Sequence, residues 1–250
     1  MQEISMRSRI HRALHAAAVV ATAAGLTLAG GSVQAAASEE DLGRVDEAAI
    51  VLEEITEAPD RMIPQAILDR SVGVAIFPST VRAGFFLGGQ RGRGVIVARD
   101  EATGAWSMPA FLTLTGGSIG LQVGAQSVDV ILLIQNRRGL TRLLANEFKL
   151  GGDVSAVVGP VGRSLEASTD IQMTAEILSY SRTRGVFAGA TLGGATVRAD
   201  RDANERVYGE RFQSEAIVLA ETAVADATEE TTRLWRALEG LAAAGEDESK

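Results

Sequence analysis

Glycine is spread unevenly along this chain, and the unevenness limits the fold more than any other property. Twenty of the 27 glycines lie between Gly73 and Gly194, and the apolar runs between them are short and rich in Val, Ile, Phe and Thr. Runs of that kind, closed by turn residues, are strand signals. VGVAIFP, AGFFLGG, GVIVARD, WSMPAFLTLTGG and VDVILLIQ read as separate strands, and Asp100-Glu101-Ala102-Thr103-Gly104 reads as a hairpin connection. Few helices fit between strands so close in sequence, so an antiparallel sheet is expected rather than a βαβ array.

The flanks have a different texture. Val45, Ala48, Ala49, Leu52 and Ile55 recur at helical spacing after Ser38 and two glutamates. Pro59 ends that helix, and Pro64 opens a short second one through Leu68. NRRGLTRLLANE brings Leu140, Leu143 and Leu144 onto one face of an internal helix. DVSAVVG and GVFAGATLGGATVRAD continue as strands, and LEASTDIQMTAEILSYS stays open between strand and helix. Gln213 to Ala244, rich in Ala, Glu and Leu without proline, reads as one long helix before a frayed GEDESK tail. The expected fold class is α+β: a glycine-rich, mainly antiparallel sheet, sandwich or barrel-like, with an N-terminal helical hairpin, one internal helix and a long C-terminal helix.

The first 35 residues read as an address. Arg7, Arg9 and Arg12 precede an Ala-rich apolar run from Ala13 to Gly30, and Val33-Gln34-Ala35 and Ala35-Ala36-Ala37 are both acceptable cleavage sites. A secretory signal peptide over 1–35 is expected, with a transmembrane anchor as the competing reading. Export would leave the protein periplasmic or secreted. The leader holds both histidines, His11 and His15, and the chain has no cysteine. A mature chain without either excludes Ser-His-Asp and Cys-His catalysis, zinc sites built on His or Cys, thiol redox chemistry and disulfide stapling.

Charge is segregated. Residues 38–70 carry a net −7 and residues 191–250 a net −6, whereas residues 71–190 carry +3, so the acidic total of −8 hides a mildly basic centre. Within it, Arg91 and Arg93 flank Gly92 in AGFFLGGQRGRGVIVARD. The dinucleotide fingerprint fails there, because Val97 stands where the third glycine belongs and the following residues read as strand. No Gly-Lys-Ser/Thr occurs either, so no nucleotide is expected. The stretch reads instead as a bulged hairpin whose arginines project from a turn, either toward phosphate oxygens or toward the acidic helices. Arg137, Arg138 and Arg142 lie on or before the internal helix, with Lys149 just beyond. Arg138 and Arg142 share a face opposite the leucines, as in a basic amphipathic helix that meets anionic head groups, or in an ordinary surface helix.

Two other patterns carry less. Asp200-Arg201-Asp202-Ala203-Asn204 opens like a calcium loop, but Glu205 replaces the required glycine and Arg211 the closing glutamate, so a hairpin turn held by Asx side chains is expected. The carboxylates Asp129, Asp153, Glu166, Asp170 and Glu176 are scattered through unrelated segments. No catalytic residue, cofactor or metal is expected.

Taken in order, AIFP at 75–78, AGFFLGGQRGRGVIVARD at 83–100, WSMPAFLTLTGGSIGLQVGAQSVDVILL at 106–133, LGGDVSAVVGPVGR at 150–163, SYSRTRGVFAGATLGG at 179–194 and a closing Tyr208-Gly209 resemble the SYLF domain family. That family of lipid-binding proteins includes fungal and animal phosphoinositide-binding and actin-associated members and exported bacterial ones. The resemblance implies a domain over 38–209; composition, outside the matched part, sets the helix at 210–244 and a disordered acidic tail at 245–250. The resemblance also implies non-enzymatic binding of an anionic phospholipid surface, here assigned to Arg91, Arg93, Arg137, Arg138, Arg142 and Lys149. This chain departs from the lysine-rich eukaryotic members, since Lys149 and Lys250 are its only lysines. An envelope protein partner is the alternative. Nucleic acid is not expected, and an exported chain meets no actin unless it reaches a host.

Overall fold

Ten of the twenty glycines expected to separate short strands instead lie within two long ones. In a computed structural model, strand β1 runs over Gly73–Ala98 and β2 over Ala110–Ile134, paired antiparallel from Gly73↔Ile134 to Ile96↔Ala110. The structure describes residues 38–57, 63–145, 147–150, 156–160, 175–183, 186–189, 192, 194–209, 212–219 and 226–247, so the leader assigned to 1–35 lies outside them. VGVAIFP, AGFFLGG and GVIVARD are consecutive parts of β1, and the hairpin turn expected around Gly92 is absent: that glycine pairs with Leu114 in extended backbone. The connection at 100–104 does form. The Asp100 carboxylate accepts from the Ala102 and Thr103 N–H groups, and Gly104 takes the positive φ that closes the turn.

β1 also doubles back on itself. The Arg99 N–H donates to the Val72 carbonyl at 2.9 Å. A Cβ at Gly92 would overlap Thr80, and one at Gly94 would overlap the Ile76 carbonyl. Residues 72–80 therefore lie against 92–99, and only glycine permits the approach at those two positions. Register shifts between Phe77/Thr80 and Gly84/Phe86 accompany the bend.

The remaining strands are β3 (Glu147–Lys149), β4 (Ala156–Val158), β5 (Ile177–Thr183), β6 (Val186–Gly189) and β7 (Ala195–Ala199). Among the described residues the seven strands form one sheet of order β3-β7-β2-β5-β4, with β1 on β2 and β6 on β5. Each pairing among the described residues is antiparallel except β4 with β5. The fold class is thus α+β with a mainly antiparallel sheet, as expected. The segment left open between strand and helix becomes β5 from Ile177 onward, and its residues 165–174 lie outside the described residues.

Each sheet face has its own core, because side chains alternate across a strand. Val74, Ile76, Val95, Val97, Phe111, Ile131, Leu133 and Leu178 are buried on the first face. Against it pack helix α1 (38–56) through Val45, Ala48, Ala49, Leu52 and Ile55, helix α2 (Gln65–Arg70) through Ile67, and helix α6 (Glu229–Asp247) through Leu234, Ala237, Leu238 and Leu241. Burial of each large aliphatic side chain is worth about 1.5–3 kcal/mol. The second face buries Phe77, Ile96, Leu112, Leu114, Val130 and Leu132 under helix α3 (Arg137–Leu144) through Leu140, Leu143 and Leu144. Gly139 lets α3 approach the Glu176 backbone, which a Cβ would crowd.

The C-terminal part departs from expectation. After helix α4 (Arg201–Tyr208), residues 210–244 do not form one helix. α5 covers Ser214–Val218 and α6 begins only at Glu229, where the Thr228 hydroxyl accepts from the Thr231 N–H. α6 then continues through Asp247, so the first three residues of the expected tail are helical, and 248–250 lie outside the described residues. Arg233 holds α6 to α1 through Asp46 and Glu53, at 2.7 Å each.

Candidate functional site

Along β1 the sequence Arg91-Gly92-Arg93-Gly94 is a period-2 pattern. Its glycines face the second core, where the strand doubles back, so its arginines must face the first. Directly opposed residues of antiparallel strands share a face, and the pairing extends the pattern across four strands. Arg93 opposes Thr113, which opposes Arg198, which opposes Glu147. In the next row Arg91 opposes Thr115, which opposes Thr196, which opposes Lys149. Two cross-strand rows over β1, β2, β7 and β3 thus bring Arg91, Arg93, Arg198 and Lys149 onto one sheet face around three threonines, with Glu147 as the lone acid in the rows. Arg91, Lys149, Arg198 and Glu147 are exposed, and the three threonines are half-buried.

Where the first of these rows meets the helices, the arginines change role. Asp41, fully buried at the start of α1, receives Arg44 at 2.6 Å, Arg206 of α4 at 2.7 Å and Arg93 at 3.4 Å. Asp200 receives Arg44 at 3.0 Å and Arg93 at 3.8 Å. The Asp41 carboxylate raises the Arg206 pKa by its hydrogen bond. Arg44 also lies over the Phe111 ring, 5.2 Å from its centre. Two carboxylates and three guanidinium groups thus tie α1, β1 and α4 together. Arg93 remains 40% exposed at the margin of this cluster.

The α3 arginines stand elsewhere. Arg137, Arg138 and Arg142 lie on the outer side of a helix that covers the second sheet face, so they do not share a surface with Arg91 and Arg93. Arg138 and Arg142 do share a helix face, as their spacing predicts, and both reach Glu176, at 3.2 and 3.4 Å. The single six-residue basic surface expected from sequence is therefore divided: Arg91, Arg93 and Lys149 come together, and the three α3 arginines sit apart beside a carboxylate.

Arg198 was missed, as were Thr113, Thr115 and Thr196. Polar residues alternate with buried ones in TLT and in ATVRA, which signals strands with one polar face. Nothing local, however, says that these strands lie beside β1. The Asp200 segment is a helix start rather than a hairpin turn. The Asp200 carboxylate caps α4 by accepting from the Ala203 N–H, Asp202 lies in the first turn, and Gly209 closes the helix with a φ of 74°. Asp129 is held by the Ser79 N–H and by Arg182 at 2.6 Å, and Glu176 by α3, so both serve structure. Asp153, Glu166 and Asp170 lie outside the described residues. Among the described residues no three Asp, Glu, His or Cys side chains are grouped to hold a metal ion, and no helix is long and apolar enough to cross a membrane.

With this geometry in place, comparison with known proteins decides the family. The family model named Ysc84, described as "Las17-binding protein actin regulator", matches residues 115–241, from β2 into α6. Protein YSC84 of Saccharomyces cerevisiae is 33% identical over 180 residues, covering 70% of this chain and 38% of its own length. The chain belongs to the SYLF (Ysc84) family. SH3 domain-containing YSC84-like protein 1 of Homo sapiens is 30% identical over 181 residues, 70% of this chain and 52% of its own. LAS seventeen-binding protein 3 of S. cerevisiae is 34% identical over 164 residues, 64% of this chain and 35% of its own. The chain thus spans about half or less of the length of these relatives. The family match runs past Gly209, where the sequence resemblance stopped, through α5 and into α6. The family description names a binding protein and regulator, and because it speaks of actin it lends no support to leaving actin aside.

Proposed function

We propose that this SYLF domain is an exported, non-enzymatic module that binds anionic phospholipid head groups on the sheet face of β1, β2, β7 and β3. One observation carries the reading: two adjacent cross-strand rows place Arg91, Arg93, Arg198 and Lys149 on one accessible face, in a chain whose flanks are acidic. Guanidinium forks and an ammonium suit phosphate oxygens, and threonine hydroxyls between them donate to ester and glycerol oxygens. Such contacts contribute about 1 kcal/mol per basic residue at a charged surface and weaken with salt. Co-sedimentation with phosphatidylcholine vesicles, with and without phosphatidylglycerol, tests it. Binding is expected only to the anionic vesicles, and Arg91→Ala combined with Arg198→Ala should lower the partition roughly 30-fold. Equal binding to neutral and anionic vesicles, or none to either, would overturn the reading.

A protein partner is the second reading, favoured by the words "Las17-binding" and "actin regulator" in the family description. Cross-linking in intact cells and co-sedimentation with actin filaments separate it from the first. A filament pellet that retains the chain at physiological salt and loses it on Arg91→Ala would move the same face to protein recognition.

A further inference from the structure

Arg82 is a part-buried cation that the site above does not use. The pairing Arg82↔Gln126 lies two residues from Thr80↔Val128, and Val128 belongs to the second core, so Arg82 faces the side opposite Arg91 and Arg93. Its Nε donates to the Gln90 Oε1 at 3.1 Å, joining the limb of β1 that enters the bend to the limb that leaves it. The Nη2 nitrogen is shut off from solvent and has no acceptor. Other part-buried arginines are paired: Arg44, Arg182 and Arg206 reach carboxylates at 2.6, 2.6 and 2.7 Å. No Asp or Glu among the described residues reaches Arg82, and burial alone pulls its pKa below the usual arginine value while leaving it charged.

A charged group with an unmet, desolvated N–H costs stability until a partner meets it. Gln90 is itself buried, and its amide nitrogen, on the same carbon as the acceptor for Arg82, lies beside Gly116, where a Cβ would stand 3.2 Å from it. The guanidinium and this amide therefore bring donors together with no acid to receive them. The rows that carry them, Arg82↔Gln126 and Gln90↔Gly116↔Ala195, hold no second charge. One positive charge in a partly desolvated place balances one negative charge, whereas a dianion would keep its second charge uncompensated. We propose that Arg82 and Gln90 form a site for one singly charged oxyanion, a carboxylate or a phosphodiester. Two oxygens of such a group match the guanidinium fork, and the Gln90 amide N–H adds a contact. The site lies on the sheet face opposite Arg91, so it stands independently of the lipid reading above.

Acetate and dimethyl phosphate are the probes, each exchanged for chloride at constant ionic strength with the full chain. The urea midpoint should rise saturably at millimolar probe, and sulfate should need roughly tenfold more for the same rise. Arg82→Met should abolish the saturable rise, and Gln90→Leu should increase the half-saturating concentration several-fold. In the wild-type chain the Arg82 Nε–H resonance should shift with the same half-point, a readout that does not depend on how the variants fold. Lower partition of Arg82→Met onto phosphatidylglycerol vesicles would trace the oxyanion to a lipid, and unchanged partition would trace it to a soluble anion; both keep the site. A rise that never saturates, or that Arg82→Met shares, is an ordinary salt effect and overturns the proposal. An Arg82 resonance that stays fixed overturns it too, with water left to serve Nη2. Sulfate as potent as acetate overturns the selection for a single charge.

Discussion

Arg91 and Arg93 alternate with glycines along a strand, whereas Arg138 and Arg142 recur four residues apart on a helix, and the sequence alone assigns both pairs to one surface. The fold treats them differently. The helical pair converges on a single acid, Glu176, at 3.2 and 3.4 Å, and spends its charge on seating α3 against the start of β5. The strand pair is divided: Arg93 leans into the Asp41 and Asp200 cluster, while Arg91 stands exposed in a row with Thr115, Thr196 and Lys149. Spacing of basic residues says which of them share an element's face. Which faces meet is set by pairings tens of residues apart.

The comparison can be broken first at Asp41. Asp41→Ala leaves Arg44, Arg93 and Arg206 around an empty carboxylate position, and loss of one partner from a buried ion cluster costs about 3–5 kcal/mol. A drop of that size in urea-unfolding free energy is expected, against a change within about 0.5 kcal/mol for the exposed Arg91→Ala. Equal, small effects would mean that Arg93 is no more anchored than Arg91. The glycine partner of the pattern comes next. Gly94→Ala places a methyl against the Ile76 carbonyl and should cost about 1–3 kcal/mol or more, whereas Gly89→Ala meets only the Gly116 carbonyl at 3.9 Å and should be near neutral.

Much of this was legible in sequence. The α1 register from Val45 to Ile55, the leucine face of α3 and the turn at 100–104 each rest on residues within a few positions of one another. What was not legible is long-range. Gly92 and Gly94 read as turn residues because their reason for being glycine, the approach of Thr80 and Ile76, lies 12 and 18 positions away. Arg198 joins Arg93 only because β2 separates them by one strand on each side. The division of 210–244 did carry a local signal, Thr228 followed by Glu229 and Glu230 as a helix start, which the even Ala-Glu-Leu composition masked.

Smaller effects sharpen the contrast further. Arg138→Ala with Arg142→Ala removes two partly exposed bridges, so a loss of at most about 1 kcal/mol is expected, with vesicle binding unchanged. A fall in binding matching that of Arg91→Ala with Arg198→Ala would return the helix to the site. The smallest effect is in acid. A hydrogen bond from Arg233 holds the Glu53 carboxyl below its ordinary value of 4.5. A lowered folded-state pKa contributes stability above the ordinary value and loses it as pH falls through the lower one. Trp235, whose ring N–H donates to the Ser107 carbonyl, reports on α6. Its fluorescence should begin to shift as pH drops below about 4.5, and Arg233→Ala should flatten that part of the curve.

The regular register of β1 from Phe86 to Ile96 has a consequence for how the gene can vary. In extended backbone with alternating sides, one added or lost residue between Gly88 and Arg91 would rotate the guanidinium groups into the oily interior and push the glycines out to water. Changes of length there are tolerable only in twos. The five-residue loop at 100–104, outside the ladder, is under no such arithmetic, and relatives should differ freely in size at that point.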